Sequence, residues 1–140
     1  MYGCCTLDQT VVISISGKSK ILAAESSKSL RLRLSRRACA VLSTRDNQIL
    51  VSAASAYEIE YKRPRSPDLA ELPANLNEGV SALGFEWLTI SAEHSALAGK
   101  LPRLHGDPFD RMIVAQALIE QASIVTLDRF IAPYGAPVIW

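Results

Sequence analysis

The chain of 140 residues contains no apolar run approaching the roughly 20 residues that a membrane-spanning helix requires. Its amino terminus also lacks the charged segment, continuous apolar stretch and cleavage site of a secretory signal peptide. We therefore expect a cytoplasmic protein with no membrane partner. Hydrophobic residues make up 49% of the chain and charged residues 21%, which is typical of a folded globular protein of one domain.

Cysteine, histidine and aromatic residues are scarce, and each shortage argues against a class of site. The three cysteines include no CxxC pair, so neither a disulfide framework nor a zinc site is indicated. The two histidines, His94 and His105, have no second ligand at zinc spacing and favour structural or surface roles. Aromatic residues make up 6% of the chain and are scattered along it, which does not indicate a base-stacking platform.

Positive charge is concentrated in the first 65 residues, although the formal net charge is only +1. Residues 1–65 hold eleven Lys and Arg against five Asp and Glu, whereas residues 66–140 hold four against nine. Such a surplus predicts a phosphate-facing surface if the basic residues converge in the fold. Alternatively, these basic residues form an ordinary helix face that is exposed to solvent, and the pattern does not decide between the two. The basic residues concerned are Arg31, Arg33, Arg36, Arg37, Lys62, Arg63 and Arg65.

Short apolar runs alternate with helical patterns along most of the chain, which predicts an α/β fold with a parallel sheet. Strands are predicted at 49–51, 87–90, 123–126 and 138–140, and a first strand at Thr10–Ser16 or at Cys4–Leu7. Helices are predicted at about 19–30 and 34–44 and from about 53 to 62. A further helix is predicted from 69 to 83, with Asp68 as its cap, an interruption near Pro73 and Gly84 at its end. The last two are predicted from Ser91 to about 101 and from Pro108 onward.

Three acids are placed where parallel sheets bind ligands, beyond the carboxyl ends of strands. Glu58 lies on the helix after strand 49–51, Asp110 lies in the first turn of its helix, and Asp128 lies two residues past the strand that ends at Thr126. Converging carboxylates repel one another, and a hard cation such as Mg²⁺ relieves that repulsion because it prefers oxygen ligands. A metal ion at such a site supports phosphodiester hydrolysis.

Each of these acids also has a structural interpretation. Asp107 stands at a helix cap and Asp110 in the first turn, where carboxylates stabilise exposed N–H groups, and we prefer this interpretation for Asp107. Asp128 fits the start of a turn equally well. Glu58 fits a helix surface, but its largely apolar neighbours imply that its charge needs a partner.

Two segments and their spacing resemble the PIN-domain family, in particular its VapC-like members. The segments read Val51-Ser-Ala-Ala-Ser-Ala-Tyr-Glu-Ile59 and Leu101-Pro-Arg-Leu-His-Gly-Asp-Pro-Phe-Asp-Arg-Met112, and Ile124-Val-Thr-Leu-Asp128 follows them. The resemblance covers about residues 34–140. It implies a single PIN-like domain over residues 1–140, with a central parallel sheet flanked by helices and with residues 1–33 atypical of the family.

The same resemblance implies a toxin of a toxin–antitoxin pair. In that family four acids line a Mg²⁺ or Mn²⁺ site that cleaves single-stranded RNA, a cognate antitoxin blocks the site, and the protein forms a homodimer. Glu58, Asp110 and Asp128 match three of those catalytic, metal-binding acids. The fourth follows the first strand in a Leu-Asp-Thr motif, and Leu7-Asp8-Gln9-Thr10 is the nearest match, which implies Asp8 as the remaining ligand.

The match at Asp8 departs from the family pattern. Asp8 and Glu58 stand 50 residues apart, which is more than that pattern has, and Asp8 precedes the first strand if that strand is Thr10–Ser16. Divergence and a reading frame shifted upstream of about residue 34 both remain open as explanations.

Two alternatives follow for the function. A degenerate PIN domain would bind antitoxin or RNA without cutting, and the position of Asp8 distinguishes it from the enzyme. A phosphate-loop nucleotidase at Gly17-Lys18-Ser19 is disfavoured because Val12 stands where that motif needs a glycine.

Overall fold

The computed structural model describes residues 10–13, 35–70, 72–104, 106–126 and 128–140. Within these ranges, five strands form one sheet in the order β3-β2-β1-β4-β5. All neighbouring strands pair in parallel, so the predicted α/β class with a parallel sheet is confirmed. The strands are β1 (Thr10–Ile13), β2 (Gln48–Ser52), β3 (Glu86–Leu88), β4 (Ser123–Val125) and β5 (Val138–Ile139).

Helices connect the strands, and most begin at a side-chain cap. Ser35, Ser52, Asn75, Ser91 and Asp107 each accept a hydrogen bond from a backbone N–H in the first turn of the helix that follows. Across the described ranges, no helix is long and apolar enough to cross a membrane. The helices are α1 (Arg36–Ser43), α2 (Ala53–Lys62), α3 (Pro67–Ala70), α4 (Leu76–Ala82), α5 (Ala92–Lys100) and α6 (Pro108–Ile119).

Both faces of the sheet are buried at β2 and β4, which is consistent with the apolar residues at the centres of these strands. Side chains of a strand alternate between the two faces. Val51 of β2 and Val125 of β4 therefore pack in one core cluster with α1, α3 and α4. Leu50 and Ile124, one residue earlier in each strand, pack in the other cluster with α6. The sheet therefore lies between two layers of helices. Because the helices cover its faces, a ligand can reach the sheet at the ends of its strands.

The predicted interruption of the 69–83 helix near Pro73 is confirmed, because two short helices, α3 and α4, occupy this range. The predicted cap is wrong: Asp68 lies inside α3, and Asn75 caps α4. Pro73 lies in the interval because proline cannot continue a helix from the preceding turn. Gly84 has a φ of 71° and closes α4 as predicted.

The predicted strand at 87–90 is shifted along the chain. The structure places β3 at Glu86–Leu88, since pairing with Leu50–Ser52 of β2 determines which residues extend the sheet. The predicted helix at 19–30 and the Gly17-Lys18-Ser19 segment lie outside the described residues.

Candidate active site

The carboxyl ends of β1, β2 and β4 lie side by side. Ile13 at the end of β1 is in register with Val51 of β2 and with Val125 of β4. The strand order reverses at β1, because β2 and β3 lie on one side of it and β4 and β5 on the other. Such a reversal opens a crevice at the carboxyl ends, where open α/β sheets bind their ligands. The residues that follow β2 and β4 therefore determine the chemistry of this crevice.

Helices α2 and α6 pack against each other in opposite directions. Just before α2 begins, the Ser52 hydroxyl donates to Oε1 of Gln116, near the end of α6, at 2.6 Å. Further along α2, the ring of Tyr57 stacks on Phe109 of α6 with 5.2 Å between ring centroids. Residues later in α2 therefore lie closer to the first turn of α6. The middle of α2 and the start of α6 consequently meet.

Glu58 and Asp110 follow these two stacked rings directly in the sequence, one on each helix. They are 5% and 4% exposed, and they are the buried carboxylates of the described ranges. A buried carboxylate needs a partner, because removing its charge from water is costly. For Glu58 that partner is Lys62, whose Nζ donates to Oε1 of Glu58 from one helical turn later. The expectation that Glu58 needs a partner is thus confirmed.

The start of α6 is built around Asp107. Its Oδ1 accepts the N–H of Phe109 at 2.9 Å, and Pro108 occupies the first helical position. The interpretation of Asp107 as a helix cap is therefore confirmed. Asp110 lies three residues after Asp107, in the first turn, where the positive end of the helix dipole favours a carboxylate. Asp110 is buried, whereas Asp107 is only half-buried. A residue that only caps a helix does not need to be buried, so burial distinguishes Asp110 from Asp107.

Asp128 starts a turn directly after β4. Its Oδ1 accepts the N–H of Phe130 at 2.9 Å, and its carbonyl oxygen accepts the N–H of Ile131 at 3.2 Å. Its own N–H donates to Oγ1 of Thr126 at 3.0 Å. The turn interpretation is thus confirmed. The same turn holds the half-buried Asp128 beside the carboxyl end of β4, at the place where the strand order reverses.

Asp8 lies outside the described residues, and β1 begins at Thr10. Over the described ranges, no three His, Cys, Asp or Glu side chains form a group that could hold a metal ion. Glu58, Asp110 and Asp128 therefore do not make a metal centre of three carboxylates by themselves. The site of four acids, with Asp8 as its fourth member, stays a prediction.

His94 has the structural role that its sequence context favours. It is buried and belongs to a capping box, in which its Nδ1 accepts the N–H of Ser91 and the Ser91 hydroxyl oxygen accepts the N–H of His94, both at 3.1 Å. Its Nε2 lies 3.3 Å from Oε1 of Glu120, the C-cap residue of α6. His94 thus ties α5 to the end of α6. The second histidine, His105, lies outside the described residues.

The predicted basic residues divide into structural and exposed ones. Arg63 donates from its guanidinium to the carbonyl oxygens of Leu72 and Pro73, at 3.0 and 3.1 Å, and so holds the segment between α3 and α4. Arg36 and Arg37 are exposed in the first turn of α1. Of the basic residues that the sequence singled out, Arg31 and Arg33 lie outside the described residues.

Sequence reasoning missed Gln116. Its side chain is fully buried, and its Nε2 donates to the carbonyl oxygens of Leu88 and Thr89 at 3.3 and 3.2 Å, while its Oε1 accepts the Ser52 hydroxyl. Gln116 thereby fixes α6 to the carboxyl ends of both β2 and β3. The available signal was a glutamine within the otherwise apolar run Ile113–Ala117.

Three aromatic residues that are scattered along the sequence come together in the structure. Tyr57, Tyr61 and Phe109 form one stack, although Phe109 is far from the two tyrosines in the sequence. The spacing of four residues between Tyr57 and Tyr61 was the only signal that the sequence offered, because it places both rings on one face of a helix.

Comparison with known proteins supplies the family. The chain is similar in fold to a chain in the crystal structure of VapBC2 from Rickettsia felis bound to a DNA fragment from their promoter, with a TM-score of 0.64 and 16% identity over 94% of this chain and 98% of that one. No curated protein matches the sequence significantly. The sequence profile described as "PIN domain" matches residues 7–134. The chain therefore belongs to the PIN-domain family.

Proposed function

We propose that this protein is a metal-dependent endoribonuclease that cleaves single-stranded RNA and acts as the VapC-like toxin of a toxin–antitoxin pair. The observation that carries the proposal is the burial of Glu58 and Asp110 where α2 meets the first turn of α6. A buried carboxylate is costly unless a cation or hydrogen-bond donors stabilise its charge. Lys62 does so for Glu58 in the metal-free chain, and we infer that a divalent cation adds to this stabilisation when it binds beside the carboxyl ends of the strands.

The chemistry of these donors fits Mg²⁺ or Mn²⁺. Carboxylate oxygens are the ligands that hard divalent cations prefer, and Mg²⁺ is commonly held by only one or two protein carboxylates, with water and phosphate completing its coordination. Glu58 and Asp110 would hold the ion, with Asp128 and Asp8 as the further ligands. When bound, such an ion would neutralise charge on the phosphate and make a water molecule more acidic.

Three features of the described residues support this proposal. Asp107 and Pro108 fix the first turn of α6 and with it the position of Asp110. Lys62 holds the Glu58 carboxylate, while its own side chain remains 43% exposed and thus accessible to an RNA phosphate. The turn at Asp128 holds that carboxylate next to the end of β4.

The proposed partners follow from the family and from the solved neighbour. VapBC2 from Rickettsia felis was crystallised with promoter DNA, and we propose a cognate antitoxin as the regulatory partner of this chain as well. We further propose a homodimer in the cytoplasm, where RNA is available, and one PIN-like domain spanning residues 1–140.

Cleavage of single-stranded RNA by the purified chain tests the proposal. A panel of labelled RNAs is incubated with Mg²⁺ or Mn²⁺, and a parallel series contains a chelator. We expect cleavage only with the metal ions. Equal cleavage in chelator would show that the metal mechanism is wrong.

A degenerate PIN domain is the second candidate, and one observation favours it. Over the described ranges, no three potential ligands are grouped around a metal position. Such a protein would bind antitoxin or RNA without cutting. Calorimetric titration with Mn²⁺ separates the candidates: binding abolished by Asp8→Asn supports the enzyme, whereas a chain that neither binds the ion nor cuts RNA supports the binding module.

A further inference from the structure

Three aromatic rings and one arginine form a continuous exposed strip beside the candidate active site. The rings of Tyr57 and Tyr61 are nearly parallel, with an interplanar angle of 8° and 6.0 Å between centroids. Phe109 extends the stack beyond Tyr57, and the Arg65 guanidinium lies over Tyr61 at 5.8 Å from the ring centroid. We call these four residues the aromatic strip.

Most of the aromatic strip is open to solvent. Tyr57 is 58% exposed and Tyr61 is 61% exposed, which are the two largest values among the exposed large hydrophobic residues of the described ranges. Adjacent, aligned and exposed rings differ from isolated surface residues, because together they offer a binding surface for flat ligands.

Positive charge accompanies the rings. A pocket of about 500 Å³ next to Tyr61 is lined by an aromatic ring, two cations, a hydroxyl and one apolar side chain. These groups match the parts of a nucleotide: a ring for the base, cations for the phosphate and a hydroxyl for hydrogen bonding. The lining residues are Tyr61, Lys62, Arg65, Ser66 and Leu69.

The aromatic strip shares its helices and a neighbouring side chain with the candidate active site. Tyr57 and Glu58 are neighbours in the sequence of α2, and Phe109 and Asp110 are neighbours in the sequence of α6. Lys62 lines the pocket beside Tyr61 and also pairs with Glu58. A chain bound along the strip would therefore meet a lysine that contacts the candidate active site.

We propose that the aromatic strip binds single-stranded RNA by packing bases against the solvent-exposed parts of its rings, with Lys62 and Arg65 facing the phosphates. This inference rests on the proposed function and adds the surface that holds the substrate. Single-stranded nucleic acid is favoured over a protein partner because exposed aromatic rings flanked by cations suit bases on a phosphate backbone. The strip imposes no hydrogen-bond pattern on a base, so it contributes affinity with little sequence preference.

The test measures binding without cleavage. A fluorescein-labelled single-stranded RNA of about 12 nucleotides is titrated with the full chain in chelator, and fluorescence anisotropy reports the affinity, with RNA integrity checked on a gel. We compare Tyr57→Ala and Tyr61→Ala with Tyr57→Phe and Tyr61→Phe, which keep the rings. Leu118→Ala, at an exposed apolar position near the other end of α6, is the matched control. Circular dichroism confirms that each variant folds.

We expect each alanine variant to weaken binding between about fivefold and 100-fold, because stacking contributes about 1–3 kcal/mol per base. The phenylalanine variants and Leu118→Ala should stay within about twofold of the parent. A strand of equal length with abasic sites in place of its bases should bind all variants equally. Unchanged RNA affinity of both alanine variants would overturn the proposal.

Two further outcomes separate this proposal from others. If the alanine variants keep their RNA affinity and instead dissociate an oligomer in sedimentation velocity, the strip is a protein interface and the inference is wrong. If they lose RNA affinity while the parent never cuts RNA with Mg²⁺ or Mn²⁺, the strip stands as an RNA surface and the nuclease proposal fails alone.

Discussion

Glu58 and Asp110 supply the negative charge that the proposed metal site requires. We predict that Glu58→Gln and Asp110→Asn each lower metal-dependent RNA cleavage by at least about 100-fold, because loss of even an outer-shell partner of a metal ligand costs roughly 10–100-fold. The amides keep the shape of the side chains but not the charge, so the fold and antitoxin binding should persist. Initial cleavage rates with Mg²⁺ and Mn²⁺ measure the effect.

Asp107→Asn is the control for these substitutions. It removes a carboxylate from the same end of α6, yet asparagine caps a helix about as well as aspartate. We therefore expect an activity close to that of the parent. Equal losses in Asp107→Asn and Asp110→Asn would mean that the start of α6 matters through its structure rather than through a metal ligand.

In the metal-free protein, the ammonium group of Lys62 neutralises Glu58. Lys62→Met removes the ammonium charge and keeps an apolar side chain of similar length. With Lys62 partly exposed, we expect a loss of about 1 kcal/mol in the free energy of unfolding in chelator. Mn²⁺ should then raise the melting temperature more in Lys62→Met than in the parent, because the ion no longer competes with an ammonium group.

Differential scanning calorimetry with and without Mn²⁺ checks this expectation. Lys100→Met, at the exposed end of α5, should respond like the parent. An identical Mn²⁺-induced shift in the parent and in Lys62→Met would show that Lys62 and the ion do not share Glu58.

At the scale of elements, Gln116 joins α6 to two strand ends. Gln116→Leu fills the same space but leaves the Ser52 hydroxyl and the carbonyl groups of Leu88 and Thr89 without this partner. We predict a loss of about 2–4 kcal/mol in the free energy of unfolding, since buried polar groups without partners are costly. Urea denaturation measures it, with Gln48→Leu at the exposed start of β2 expected to change stability by less than about 0.5 kcal/mol. A loss as small as that of Gln48→Leu would contradict the bridging role.

The sequence predicted those elements whose signals are local. Asp107 and Pro108 indicated the start of α6, and Ser91 indicated the start of α5, because capping depends on residues within one turn. The extent of β3 was missed since its ends depend on pairing with β2, which is not a local property. The interruption near Pro73 was predicted from a local signal, since proline cannot continue a helix, but the cap of α4 at Asn75 was missed.

At the scale of the whole molecule, the candidate site depends on contacts between distant parts of the chain. Glu58 and Asp110 were identified by their positions after strands and by their resemblance to family motifs. The burial of each carboxylate, however, depends on how α2 and α6 pack in the fold, which composition and spacing do not reveal. The aromatic strip was missed for the same reason, because Tyr57 and Phe109 meet only in the folded chain.

The surplus of basic residues in the first 65 positions affects the charge of the whole molecule. Among the residues that the structure describes, Arg36 and Arg37 are exposed. We predict that the double substitution Arg36→Glu and Arg37→Glu weakens RNA binding and flattens its salt dependence. Each lost phosphate contact lowers the slope of log K against log salt by about 0.7 for a single strand. Unfolding would not explain the loss, because acidic residues in the first turn of α1 interact favourably with the helix dipole.

Anisotropy titrations in chelator over a range of salt concentrations measure the slope. Arg45→Glu, in the turn between α1 and β2, is the control for a basic residue at the opposite end of α1. An unchanged slope in the double variant would show that these arginines form only a solvated helix face.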